Sequence, residues 1–397
     1  MIVRKIREDE YRRTREIFAI AFEAGMRPDD VSAEEIERIR RAPANREERY
    51  WLERWAAFND QGSMMGFLIG FPAPIRFDGQ EALCTCIGGV SCLPQYRRQG
   101  VIAGCFRQHL ADSYDQGAVF SYLYPFSTAF YRQFGYELCA ETVEWRFDMS
   151  AIPAYPDVQG TAILTESHSQ DEALREVYAY SMQGYNLSFL REDCDWSRIV
   201  SLQPAADNHF TYVWQNVSGT PKGFVCFRKE YDERRKQAIM VCSDIHFVDE
   251  EGLKGLMNFI RSFRSHYQRV HLPLPKDMHL ERILPEVSGH CERTLRFTGM
   301  GRIINIRRAL ALARYQGSGS ACFSVTDPIL PQNNDVFRVT FENGRCTHIS
   351  HEGTPDTVMD IATFSRLLLG NLDAAEYADT SLAQIFYPKR MFICDFF

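Results

Sequence analysis

The stretch with the clearest chemical potential is residues 88–103, which reads GGVSCLPQYRRQGVIA. An apolar strand is predicted to end at Pro94, a basic turn follows, and a helix is predicted to start near Gly100. A helix N-terminus presents unpaired amides and the positive end of the helix dipole, which together bind phosphate. Gly100 has no Cβ, so a diphosphate could approach the backbone, and Arg97 and Arg98 add positive charge. A solvated basic turn before an ordinary helix has the same pattern, so these residues alone leave both interpretations open.

The elements that position this stretch follow from periodicity and turn signals. Asp78-Gly79 between two apolar runs is a strong hairpin signal, and the helix after Gly100 repeats apolar residues at helical spacing. In chain order we predict a strand (2–6), a helix from about Asp9, the hairpin, the helix after Gly100, a strand (118–124), a short helix ended by Gly135 and a strand (136–149). We also expect Trp51 and Trp55, four residues apart, to pack on a helix.

Two further units follow along the chain. The second repeats the order of hairpin strands, a strand leading into a helix and another strand, which indicates a duplicated fold. The third is predicted to contain three strands, a hairpin turn at Asn343-Gly344 and two helical segments, 357–370 and 381–386. We therefore predict an α+β chain with domains over 1–150, 151–295 and 296–397.

Composition narrows the functional classes. A net charge of −7 over 397 residues argues against nucleic-acid binding and weakly favours cationic substrates. No apolar run approaches the length of about 20 residues that a membrane span needs, and the charged start is unlike a signal peptide. The twelve cysteines show no CxxC or Cys/His ligand spacing, so we expect buried thiols, no metal and a cytoplasmic protein.

The basic turn resembles the signature of the acetyl-CoA-dependent N-acetyltransferases of the GNAT superfamily, [Q/R]-x-x-G-x-[G/A]. Here it reads RRQGVI, residues 97–102, and Ile102 departs from the pattern at its last position. Together, VSCLPQYRRQGV and FYRQFGYE resemble the Eis (enhanced intracellular survival) family of aminoglycoside N-acetyltransferases. This resemblance implies a catalytic GNAT domain, a degenerate second GNAT-like domain and a C-terminal sterol-carrier-protein-like domain.

The resemblance also implies the roles of individual residues. Tyr131, in the YxxFGY element, would be the general acid toward the leaving CoA thiolate, and the C-terminal carboxylate of Phe397 would be the general base. A backbone amide near Cys92 or Leu93 would bind the oxyanion. Acetyl-CoA would be the co-substrate, held by a set that comprises Cys92, Leu93, Arg97, Arg98, Gln99, Gly100, Val101, Ile102, Ala103 and Ser127.

For the acceptor, the resemblance and the acidic composition favour a small cationic amine, such as an aminoglycoside or a polyamine. Phe18, Phe22 and Glu23 in the first helix and Asp395 near the end of the chain are candidate contacts. No cysteine stands beside a base, so direct attack is expected rather than an acetyl-enzyme. The resemblance further implies a homo-oligomer, a hexamer.

Each candidate residue also has an interpretation that involves no catalysis or binding. Taken alone, Tyr131 and Phe397 are more typical of packing and of a docked terminus than of catalysis. The second unit has Asp249, Glu250 and Glu251 where the first has arginines, so we predict one CoA site per chain, and we expect His246 to be a core or surface residue. A lipid carrier, or an acyl-CoA sensor without catalytic activity, stays open as an alternative function.

Overall fold

The computed structural model describes residues 1–25, 53–287, 289, 291–370 and 384–391. The described residues divide into two compact units. The first contains those of 1–140 and 299–389, and the second contains those of 141–298 and 390–391. Most of the predicted third domain therefore packs in the same unit as residues 1–140.

The first 150 residues alternate strands and helices largely as predicted. The strands are β1 (Ile2–Lys5), β2 (Arg54–Phe58), β3 (Met64–Phe77), β4 (Gln80–Cys92), β5 (Phe120–Leu123) and β6 (Glu137–Asp148), and the helices are α1 (Tyr11–Ala21), α2 (Val101–Asp115) and α3 (Thr128–Arg132). The β3–β4 turn is the predicted hairpin, since Asp78 and Gly79 have φ of 48° and 82°. The helix expected around Trp55 is wrong, because this residue lies in β2, while Trp51 lies outside the described residues.

Residues 151–304 repeat this alternation. The strands are β7 (Gly160–Leu164), β8 (Ser188–Phe189), β9 (Phe210–Asn216), β10 (Pro221–Asp232), β11 (Gln237–Phe247), β12 (Arg269–Pro275) and β13 (Cys291–Ile303), and the helices are α4 (Asp171–Met182), α5 (Asp193–Ile199), α6 (Pro204–Asp207) and α7 (Glu250–Ser262). The parallel pair β11–β12 is connected by α7, just as a parallel pair in the first segment is connected by α2. The duplication inferred from sequence is confirmed.

The remaining described residues form a small sheet with two helices. They are α8 (Ile306–Leu312), β14 (Gly319–Thr326), β15 (Asp335–Glu342), β16 (Arg345–Ser350), β17 (Thr357–Asp360) and α9 (Ile361–Leu368). The sheet order is β16-β15-β14-β17. The helix predicted from 357 begins only at Ile361, because the Asp360 carboxylate accepts the Thr363 amide at 2.7 Å as a cap and residues 357–360 pair with β14.

The first unit is organised around the sheet β1-β2-β3-β4-β5. Neighbours are antiparallel up to β4, but β4 and β5 run parallel, and the last residues of β13 pair with β5 from its other side. Helix α2 buries Val101, Cys105, Phe106 and Leu110 against this sheet, which is the apolar stripe read from the sequence. No helix of the described residues is long and apolar enough to cross a membrane.

The second unit has the sheet order β6-β12-β11-β10-β9-β7, with β6 contributing Thr142–Asp148. Helix α7 covers it with Leu256, Met257 and Ile260, all fully buried. In each unit, therefore, one helix covers the sheet with an apolar stripe: α2 in the first unit and α7 in the second.

Candidate active site

The site begins where the parallel pair β4–β5 ends. Pairing covers Cys84–Ile87 against Phe120–Leu123, whereas β4 continues to Cys92. On its other side β4 carries a bulge: Ile69 pairs with Gly88 and Phe67 with Ser91, so Gly89 and Val90 both stand opposite Leu68. Gly89 takes a φ of 57°, which a residue with a Cβ rarely adopts. A bulge bends its strand, and the end of β4 is thus free of β5.

A cavity of about 700 Å³ opens at this point. It is lined by residues from the end of α1, the bulged end of β4, the basic turn, the first turn of α2 and the α3 region. The set is Ala21, Phe22, Val90, Cys92, Tyr96, Arg97, Arg98, Gly100, Val101, Ile102, Ala103, Phe126, Phe130, Gln133 and Phe134. Most of the predicted co-substrate residues are therefore brought together on one surface.

The N-terminus of α2 forms one end of this cavity. Gly100 is its N-cap with a left-handed φ of 77°, and a Cβ placed there would meet nothing within 4 Å. No side chain among the described residues caps the helix, so its first amides face the cavity without a protein anion. Arg97 and Arg98 are exposed and have no ion-pair partner in the described part of the chain. An uncapped helix N-terminus beside two arginines is an arrangement that suits a phosphate group.

Three predicted co-substrate residues do not line the cavity. Leu93 is buried and its amide donates to the Met65 carbonyl at 3.0 Å, so this amide is already used and is not a free oxyanion donor. The Gln99 side chain donates to the Gln95 carbonyl at 2.9 Å. Ser127 is the N-cap of α3, where its hydroxyl accepts the Phe130 amide at 3.3 Å. The side chains of Gln99 and Ser127 serve local structure.

Tyr131 lies on α3, immediately behind the cavity wall. It is only 3% exposed, and its ring packs edge-on to Phe126, Phe130 and Phe106 at centroid distances of 5.3, 5.2 and 6.0 Å. Burial raises the pKa of its phenol above the ordinary value, because the charged phenolate would lose hydration. The phenol therefore stays protonated at neutral pH and is a weaker acid than an exposed tyrosine.

The wall itself is aromatic, and the sequence prediction missed it. Phe126, Phe130 and Phe134 recur every four residues and all line the cavity. Phe126 is 67% exposed, an unusual state for a large apolar side chain. Their spacing of four residues was the available signal, although only Phe130 of the three lies within α3.

The predicted acceptor contacts are only partly placed. Phe22 lines the cavity and stacks on Phe18 at 4.5 Å, while Phe18 packs against the core beneath α1. Glu23 is exposed, with a left-handed φ of 51°. Asp395 and Phe397 lie outside the described residues, so their predicted roles stay predictions.

The equivalent helix mouth in the second unit is filled by the protein itself. The Asp249 carboxylate caps α7, accepting the Gly252 amide at 2.9 Å, and pairs with Lys222 at 2.6 Å. A Cβ on Gly252 would lie 2.1 Å from the Lys222 carbonyl oxygen, so the backbone is packed closely there. These contacts support the prediction of one CoA site per chain.

His246, in the same unit, is a buried core residue as expected. Its Nε2 lies 2.7 Å from the Asp244 carboxylate and its Nδ1 lies 2.9 Å from the Ser181 hydroxyl. Among the residues that the structure describes, no group of three or more His, Cys, Asp or Glu side chains could hold a metal ion.

Comparison with known proteins agrees with this geometry. Models of the acetyltransferase (GNAT) domain match residues 2–139 and 187–303, and a model of the sterol carrier protein domain matches residues 306–386. The fold and the site thus define an acyl-CoA-dependent N-acetyltransferase of the GNAT class, whose co-substrate is acetyl-CoA. With two such domains followed by a sterol carrier protein domain, the chain is Eis-like, and the resemblance read from the sequence is confirmed.

Particular relatives cover most or all of the chain at low identity. An uncharacterized N-acetyltransferase of Streptomyces avermitilis is 24% identical over 298 residues, 71% of each chain. A probable N-acyltransferase structure from Enterococcus faecalis is 21% identical with a TM-score of 0.85, covering 100% of this chain and 99% of its own. Eis1 from Mycobacterium abscessus is 19% identical with a TM-score of 0.76 and full coverage of both chains. At these identities the solved structures show the shared fold.

Proposed function

We propose that this protein transfers the acetyl group of acetyl-CoA to a primary amine of a small cationic acceptor, of the aminoglycoside or polyamine kind. One observation carries the proposal. A single cavity joins an uncapped helix N-terminus flanked by two arginines to an aromatic wall with a buried, protonated phenol behind it. The first feature suits a diphosphate, and the last suits a leaving thiolate that needs a proton.

In this proposal the diphosphate binds the first turn of α2 together with Arg97 and Arg98. The pantetheine arm then follows the bulged end of β4, past Val90 and Cys92, toward α3. The backbone amides at the bulge stand outside the regular ladder, so they replace the Leu93 amide as candidate oxyanion donors.

The reaction is a direct displacement. The free amine attacks the thioester carbonyl, a C–N bond forms, and collapse of the tetrahedral intermediate breaks the C–S bond. Tyr131 gives its proton to the sulfur as the C–S bond breaks, so that CoA leaves as the neutral thiol. The amine's proton passes to a base, a role that the family resemblance gives to the carboxylate of Phe397.

The acceptor class is inferred from charge and from the exposed aromatic side chains. The net charge of −7 and the position of Glu23 beside the cavity-lining Phe22 favour a cation, and the exposed aromatic side chains can contact one through their faces. A cytoplasmic hexamer is proposed from the resemblance alone. The alternative is an acyl-CoA- or lipid-binding protein without transferase activity, which the apolar cavity wall also suits.

The decisive experiment is a thiol-release assay with acetyl-CoA and a panel of amines. The panel contains an aminoglycoside, a polyamine and an uncharged primary amine. We expect release with the cationic amines well above the blank. If no amine exceeds the blank while acetyl-CoA still binds, the alternative function holds instead.

Two variants test the assigned roles. Tyr131→Phe should lower kcat by about 100-fold, the usual contribution of a general acid, and leave acetyl-CoA binding intact. Tyr114→Phe, a partly buried tyrosine of α2 outside the cavity, is the matched control. One glycine added after Phe397 moves the terminal carboxylate by about 3.5 Å and should also lower kcat. Wild-type kcat in either test variant removes that residue from the mechanism.

A further inference from the structure

The first unit contains a fully buried ion pair that the reaction does not use directly. Arg302, near the end of β13, donates through Nη2 to the Asp327 carboxylate, and neither side chain has any exposure. Asp327 is otherwise saturated, accepting the amides of Ile329 and Leu330 at 2.9 and 3.1 Å and the side-chain amide of Asn333 at 2.9 Å. Burial of two charges costs several kcal/mol per ion, so stability alone is a poor reason for such a pair.

The other arm of the guanidinium reaches the catalytic segment. Arg302 Nη1 donates to the carbonyl oxygen of Phe134, within the turn that closes α3. That turn starts from Tyr131, whose carbonyl accepts the amides of Phe134 at 2.9 Å and Tyr136 at 3.4 Å. One charged group thus connects Asp327 to the backbone turn that carries the proposed acid.

Ile361 packs closely against the same turn. Gly135 has a φ of 79°, and a Cβ placed there would lie 2.7 Å from Ile361 Cγ2 and 2.8 Å from Arg302 Nη1. Ile361 is the first residue of α9, and Asp327 and Ile361 both belong to the sterol carrier protein match. No side chain fits between this domain and the end of α3.

Helix α3 needs such support because it has only five residues. A helix of this length is not stable by itself, and its final carbonyls have no partners within the helix. The direction of the Tyr131 side chain is therefore decided by what holds the α3 turn.

We propose that Arg302 and Asp327 are positioning residues for Tyr131, so that the sterol carrier protein domain forms a working part of the acetyltransferase site. This inference rests on the proposed role of Tyr131. Arg302 acts on Tyr131 through the Phe134 carbonyl, and Asp327 fixes the guanidinium that makes this contact.

The principal test is the double variant Arg302→Met/Asp327→Leu, which replaces both charges with apolar side chains of similar size. The replacement avoids leaving one buried charge without its partner. It also removes the acceptor of the Ile329, Leu330 and Asn333 amides, so we expect a lower stability, and kcat is measured at a temperature where the variant is folded. We expect an unchanged KM for acetyl-CoA and a kcat lower by about 10- to 100-fold, the range that a displacement of about 1 Å produces. The single variant Arg302→Lys keeps the charge but cannot reach both acceptors, so its kcat should lie between those of the double variant and the wild type.

Arg308→Met is the matched control. Arg308 Nη1 also donates to a backbone carbonyl of the first segment, that of Gly117 at 2.7 Å, but this contact lies outside the α3 turn and the cavity lining. We expect its kcat to equal that of the wild type. If the principal double variant does not fold, Asp327→Asn supplies the same comparison of kcat with KM.

Adding Tyr131→Phe to the double variant Arg302→Met/Asp327→Leu tests whether the ion pair acts through Tyr131. If both act through the phenol, the triple variant is no slower than Tyr131→Phe alone. A folded double variant with wild-type kcat, beside a slow Tyr131→Phe, overturns the positioning inference and leaves the proposed function intact. A Tyr131→Phe variant with wild-type kcat removes Tyr131 from the mechanism, and the positioning inference falls with it. The proposed function itself is overturned only if the wild type releases no CoA with any amine of the panel.

Discussion

His109 offers a pH-dependent test of how the core of the first unit is packed. It lies on α2, fully buried, with Nε2 2.9 Å from the Thr85 hydroxyl and 3.5 Å from the Ser113 hydroxyl. Its ring lies against Gly70 of β3, where a Cβ would approach Cε1 to 2.0 Å. The perturbation is a drop in pH from 7.5 to 5, applied to the wild type and to His109→Asn.

The magnitude follows from the environment of the ring. Burial lowers the pKa of His109 from 6.5 to about 4, with opposing smaller effects from Asp112, which raises it, and Lys5, which lowers it. The folded state therefore disfavours the protonated ring, so its contribution to stability is complete above pH 6.5 and is lost as the pH falls toward 4. A full shift of this size corresponds to about 3 kcal/mol, of which about 2 kcal/mol disappears between pH 7.5 and 5.

The assay compares free energies of unfolding of the two proteins from denaturant titrations at each pH. Since asparagine does not titrate, the wild type should lose about 2 kcal/mol relative to His109→Asn over this range. Histidine NMR gives an independent reading, in which the resonance missing from the variant should not titrate above pH 5. A titration midpoint near 6.5 for that resonance, or a stability difference independent of pH, would refute the reasoning.

Three further predictions concern the co-substrate. Arg97→Ala and Arg98→Ala should each raise the KM for acetyl-CoA about 10-fold with kcat retained, because a hydrogen bond to a charged group contributes roughly 1.5 kcal/mol. Arg107→Ala, exposed on α2 and outside the cavity lining, is the control, and equal KM values in all three variants would contradict the site. Gly100→Ala should lower stability by about 1 kcal/mol in thermal unfolding, since its left-handed backbone penalises a Cβ, whereas Gly100→Asn should lose less. Calorimetric titration with CoA should give one site per chain, and a second site would show that Asp249 does not exclude the diphosphate.

Local signals in the sequence predicted the parts of the fold that depend on neighbours along the chain. Asp78-Gly79 and Asn343-Gly344 form the expected turns because each adopts a left-handed backbone that these residues tolerate. Helix α2 begins after Gly100 as expected, and seven of the predicted co-substrate residues, from Cys92 to Ala103, line one cavity.

The features that the sequence did not predict depend on contacts between residues far apart in the chain. Trp55 belongs to β2 because it pairs with Leu68 and Lys5, which spacing within its own segment does not reveal. The pairing of Met300–Ile303 with β5 joins residues about 180 positions apart, and the buried Arg302 therein carried no local signal. Tertiary partners decide such strands, so a single sequence places them poorly.

The carboxylate of Asp249 at the mouth of α7 bears on how the stability of the protein depends on the concentration of acetyl-CoA. A counter-charge built into the chain never dissociates, whereas the α2 mouth acquires one only from solution. At a co-substrate concentration 100 times its Kd, binding at the α2 mouth adds about 2.7 kcal/mol of resistance to unfolding. Resistance to proteolysis should thus rise with the supply of acetyl-CoA, and the α7 mouth, which Asp249 already caps, adds nothing to this rise.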